Sequence, residues 1–142
     1  MNIKQIQSQI ADHLGIETLP IKFKEMSDDS RLYAKEGYVA INVKYQNDEL
    51  EILKSIAHEY RHAFQIYYAR LMNDDRARRW REELGVAKNG DTPGYLGQEL
   101  ELDAFAFTKW YLGKYMAIDV VHPNETYERV ICAYIDKYEG IM

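Results

Sequence analysis

Cysteine is almost missing from this chain: Cys132 stands alone among 142 residues. A single thiol cannot close an intramolecular disulfide, so a small disulfide-stapled scaffold is excluded and nothing asks for an oxidising compartment. Prolines number only three, and no repeat, low-complexity stretch or linker breaks the sequence. No apolar run approaches the length that spans a bilayer. The opening residues, Met1-Asn2-Ile3-Lys4-Gln5-Ile6-Gln7, lack the apolar core of a secretion signal. The expectation is a soluble cytoplasmic protein with no membrane partner. Basic side chains are the minority, 18 against 23 acidic, for a net charge of -5. That balance argues against nucleic acid as the main partner, because phosphate binding relies on excess Lys and Arg.

What is present suits one domain spanning residues 1–142. Apolar residues make up 46 % of the chain, and twelve tyrosines supply rings that pack while their hydroxyls stay wet. Ile3, Ile6, Ile10 and Leu14 share one face of a helix over 3–14, with Asn2 as its cap and Gly15 as its end. Residues 19–25 alternate as a strand, and 31–43 read as a hairpin turning near Lys35-Glu36-Gly37, with Val39, Ile41 and Val43 on one face. From Asn47 and Asp48 a long helical pattern runs to about residue 72. A charged helix over 74–84 offers Asp75–Arg79, Arg78–Glu82 and Arg79–Glu83 pairs on a wet surface. Gly85 to Gly97 reads as a loop. A helix from about Leu96 to Met116 carries Leu100, Ala104, Phe107, Tyr111 and Tyr115 on one stripe. Pro123 and Asn124 then introduce a last helix bearing Tyr127, Val130, Ile131, Tyr134 and Tyr138, where Cys132 is expected in the core. The order is α+β, a small antiparallel sheet followed by several helices.

The chemistry gathers at His58-Glu59-Tyr60-Arg61-His62. Two histidines four apart lie one turn apart on the same helix face, so both rings reach one zinc ion, and the glutamate beside the first reaches a water there. Catalytic zinc takes three protein ligands and keeps a fourth position for water. His13 reads as a surface histidine, and His122, before Pro123, is a possible but isolated ligand. The stronger candidate is a carboxylate on the later helix. Glu99 and Asp103 are four apart and face one side. Glu99 is the expected third ligand, and Asp103 the expected hydrogen-bond acceptor that orients a ligand imidazole. Glu101, about 200° round the helix from Glu99 at 3.6 residues per turn, is expected to point away.

These two segments resemble the gluzincin metallopeptidases, in which a His-Glu-x-x-His helix precedes a Glu-x-x-x-Asp helix. Within that group the chain is most similar to the compact ImmA/IrrE-type and related phage-like peptidases, whose second motif reads Glu-x-x-Ala-Asn/Asp-x-Phe-Ala. Glu99, Asp103, Phe105 and Ala106 match it, with Leu102 at the small position, and Gly37-Tyr38-Val39-Ala40-Ile41-Asn42 fits the strand before the first motif. The likeness covers roughly residues 37–112.

The resemblance implies a zincin-like fold, a small antiparallel sheet packed on the active-site helix, and hydrolysis of a protein or peptide substrate with Zn2+ as cofactor. Glu59 would act as general base, taking a proton from the attacking water and passing it to the leaving amine. His122 or a tyrosine such as Tyr95 would help hold the oxyanion. Asp103 would meet His58 in particular. The strand around Val39–Val43 would take an extended substrate along its edge. A rival reading keeps the same ligands in a zinc-binding regulatory module with little or no catalysis. Glu59 favours the enzyme, because a structural metal site has no use for a carboxylate aimed at an open coordination position.

Overall fold

Asn2 begins the first helix, α1 (Ile3–Leu14), by accepting the Gln5 N–H on its side chain, and Gly15 ends it in the left-handed region at φ 70°. Both ends follow the sequence, since Asn caps with its own oxygen and Gly adopts positive φ without penalty. The computed structural model describes residues 2–88 and 99–142. After α1 come β1 (Ile21–Lys24), β2 (Ser30–Tyr33), β3 (Tyr38–Asn42), α2 (Glu49–Leu71), α3 (Asp75–Lys88), α4 (Glu99–Met116) and α5 (Glu125–Tyr138). Contacts divide the chain into Met1–Phe64 and Gln65–Met142, a boundary that falls inside α2.

In Met1–Phe64 a three-stranded sheet lies on α2 in the order β1-β3-β2. It is mixed rather than antiparallel: β2 runs antiparallel to β3, as the hairpin predicts, but β1 pairs parallel with it. The period-two pattern identifies strands and leaves their direction open. Gly37, at φ 80°, donates to Tyr33 O in the hairpin turn. Val43 leaves the sheet, opening a 3₁₀ turn (Val43–Tyr45) under the Asn42 side chain. The strand expected over 19–25 shortens to four residues. Before it, Leu19 is claimed by α2, exchanging two hydrogen bonds with the Tyr60 hydroxyl, at 3.0 Å from its N–H and 2.6 Å to its carbonyl. Gln7 of α1 donates to that same hydroxyl and carbonyl. Burial pushes the Tyr60 phenol above its usual pKa, so it remains a donor. Ile10, Val39, Ile41, Leu53 and Ile56 are fully buried, each contributing roughly 1.5–3 kcal/mol. This packing sets the rotation of α2 about its own axis.

In Gln65–Met142, α3 continues through Gly85 to Lys88, beyond the expected end. It is not wet all round, for Ala77 and Trp80 are fully buried. Its charges pair differently from the i,i+4 expectation: Arg78 meets Asp75, Arg76 lies over the rings of Tyr68 and Trp80, and Arg79 reaches to Glu99. The expected loop to Gly97 falls, beyond residue 88, outside the described residues. Leu100, Ala104, Phe107 and Tyr111 form the buried stripe of α4, whereas Tyr115 at its end is exposed. Asn124 caps α5 by accepting the Tyr127 N–H. Ile131 and Tyr134 of α5 pack on Ala106. Cys132 is exposed instead of buried, because it lies off that apolar stripe. Among the described residues no helix is long and apolar enough to cross a membrane.

Candidate metal centre

Tyr60 and its neighbours turn the opposite side of α2 into a site. Residues two apart on a helix project to opposite sides, so burying Tyr60 against Leu19 presents His58 and His62 on the other face. Their Nε2 atoms lie 3.2 Å apart, and the rings are nearly perpendicular, at 84°. Glu59, only 5 % exposed, accepts a 2.7 Å hydrogen bond from Ser30 Oγ of β2 on its Oε2. One oxygen of the expected base is thereby held by the sheet.

The potential ligand atoms of His58, His62 and Glu101 all lie within 4.8 Å of one another. Glu101 therefore takes the place expected for Glu99. The Glu99 carboxylate is engaged elsewhere, meeting the Arg79 guanidinium through two bonds of 3.0 and 3.1 Å. The cause is the seating of α4: its first N–H groups, Glu99 and Leu100, donate to the carboxylate of Glu83 at 2.8 and 2.9 Å. Gln65 of α2 donates to Leu100 O at 2.8 Å. The face bearing Leu100, Glu101, Ala104 and Thr108 is thereby the buried one, and Glu99 is left at the rim with Arg79. The signal that marks Glu101 in the sequence is Ala104. Starting the Glu-x-x-Ala pattern at Glu101 restores the small residue and aligns Phe107, at the cost of placing Phe105 where an acid was expected.

Asp103 is 1 % exposed and accepts from Gln65 Nε2 and from the Tyr134 hydroxyl, both at 2.8 Å. His122 does not join the ligand group. Its N–H donates to Glu128, its Nδ1 accepts from Asn124, and its ring stands against Phe105 and Tyr127. His13 is exposed in the last turn of α1. Tyr95 lies outside the described residues. The edge expected along Val39–Val43 is not available, since β3 is the inner strand and pairs on both sides.

The donor set fits zinc. Two imidazole nitrogens and one carboxylate make up a set that catalytic zinc takes, and two nitrogens on a tetrahedral zinc lie about 3.3 Å apart, close to the observed Nε2–Nε2 distance of 3.2 Å. His58-Glu59-x-x-His62 with Glu101 thus forms a gluzincin-type zinc-binding triad on a zincin-like α+β fold, the arrangement of a zinc metallopeptidase active site. Scans against models of protein families, curated proteins and solved structures find no match to this chain.

Proposed function

We propose that residues 1–142 act as one zinc-dependent metallopeptidase domain that hydrolyses peptide bonds, with Glu59 as general base. The observation that carries this reading is the convergence of His58, His62 and Glu101 beside a buried Glu59. When bound, zinc supplies a Lewis acid that polarises the scissile carbonyl and acidifies water. The Glu59 carboxylate takes the proton of the attacking water and returns it to the leaving nitrogen. Ser30, by holding Oε2, restricts the rotation of that carboxylate, and the proton moves at Oε1. His58, His62 and Glu101 hold the metal. Asp103 supports the ligand helix. Its burial and its bond to Gln65, three residues beyond His62 on α2, favour that role.

The substrate is a protein or peptide lying extended along β2. Among the described residues β2 is paired on one side only, and its Ser30 touches the base. An open edge of this kind pairs with an extended chain. The reading includes a cytoplasmic setting, supported by the single, exposed thiol.

Glu59→Gln tests the reading. The substitution keeps the shape of the side chain and removes the base. Zinc content should remain stoichiometric, while cleavage of a proteome-derived peptide library falls by about 10²–10⁴-fold. Equal cleavage by wild type and Glu59→Gln would remove Glu59 from the mechanism. A wild type that binds zinc and cleaves nothing would favour the regulatory module.

A further inference from the structure

Tyr127 lies in the first turn of α5, placed there by the Asn124 cap. Its ring stands edge-on to Phe105, with centroids 5.7 Å apart at 86°, and against His122 at 4.9 Å. Phe105 is one turn beyond Glu101 on α4, so the two share a face. A helical side chain also leans back over the preceding turn, which directs Phe105 and what packs on it towards Glu101. The Tyr127 hydroxyl is sealed from solvent and has no hydrogen-bond partner among the described residues. Buried hydroxyls almost always find a partner, and one without requires an explanation.

Glu101 provides it. A carboxylate has two oxygens and about four acceptor positions, and a metal ion engages only part of that capacity. The geometry points to Tyr127 as a positioning residue for Glu101: its phenol O–H is the donor that holds the Glu101 carboxylate in ligating orientation when the metal is bound. A phenol is an O–H donor at neutral pH, where zinc binds. A hydroxyl sealed from solvent is out of reach of a substrate, whereas Glu101 is buried as well, at 5 % exposure. This inference rests on the metal centre described above and not on catalysis.

The test is zinc affinity, read by competition with a chromophoric chelator, with metal-free thermal stability measured alongside. Tyr127→Phe removes one oxygen and keeps the ring. Zinc affinity should weaken by about 10–100-fold, the usual cost of losing a partner of a metal ligand. The metal-free protein should melt no lower than wild type, because the hydroxyl lost has no bond to lose. In a Glu101→Ala background, Tyr127→Phe should weaken zinc no further. Unchanged zinc affinity in Tyr127→Phe would overturn the proposal. So would an equal weakening with and without Glu101, or a metal-free protein destabilised as much as the zinc-loaded one. His58→Ala separates the two readings. If wild type binds zinc no better than His58→Ala, the metal centre itself is wrong. If it binds zinc better and Tyr127→Phe matches wild type, only the role of Tyr127 falls.

Discussion

Glu99 and Glu101 stand two residues apart and face different neighbours. Glu101 is buried beside the two histidines, whereas Glu99 forms a two-bond ion pair with Arg79, whose side chain is 44 % exposed. Glu101→Ala should weaken zinc binding enough that the purified protein holds less than one zinc per chain, with only the residual affinity of the two histidines left. Glu99→Ala should leave zinc bound and cost at most about 1 kcal/mol, the upper range for an exposed ion pair. Elemental analysis and a denaturation curve of each variant distinguish them, and zinc loss in Glu99→Ala alone would restore the original assignment. The pair also shows where a sequence stops being legible. His58, Glu59 and His62 are readable because all three sit on one helix, whose 3.6-residue period fixes their spacing. The third ligand comes from another helix, and two acids two residues apart offer opposite faces. Which face turns inward depends on Glu83 and Gln65 gripping the start of α4.

Caps decide the elements. Asn2, Gly15 and Asn124 act as their residue types predict. The end of α4 is different: Ala117 takes φ 54°, and Ile118 N–H closes the turn on Leu112 O. An L-residue pays about 1–2 kcal/mol in the left-handed region, and glycine does not. Ala117→Gly should therefore raise stability by about 1 kcal/mol, and an unchanged or lower melting midpoint would contradict this. The α4–α5 connection is held by charge. Lys109 reaches Val120 O, Asp119 and Glu128, and Glu128 also accepts the His122 N–H. Burial pushes the Glu128 carboxyl up, but the His122 N–H and the Lys109 ammonium outweigh it, and the net shift is below the ordinary value. A depressed carboxyl pKa adds stability above its unfolded value, about 4.3, that is lost as pH falls through the folded value. Wild type should thus melt above Glu128→Gln at neutral pH, with the gap closing under acid. A gap independent of pH would show that the charge of Glu128 is irrelevant.

At the scale of the whole molecule, the metal links residues from distant parts of the sequence, His58 and His62 on α2 and Glu101 on α4. A ligand that binds only the folded chain stabilises it by about 2.7 kcal/mol at a hundredfold excess over its Kd. For a chain of this size, chelation should lower the melting midpoint by roughly 10 °C, and restored zinc should reverse it. A midpoint indifferent to zinc would contradict the three-ligand centre.

The amino-acid sequence by itself determined what local periodicity and caps encode. That includes the extents of α1, α2 and α5, the β2–β3 hairpin and the His58-Glu59-x-x-His62 face. Tertiary structure alone decided the parallel pairing of β1, the inner position of β3, the bond from Ser30 to Glu59 and the choice of Glu101 over Glu99. The physical reason is range. Helical period and capping act over a few residues along the chain. Strand direction and the inward face of a helix are set by partners 16 to 35 residues away along the chain, whose burial outweighs any local preference.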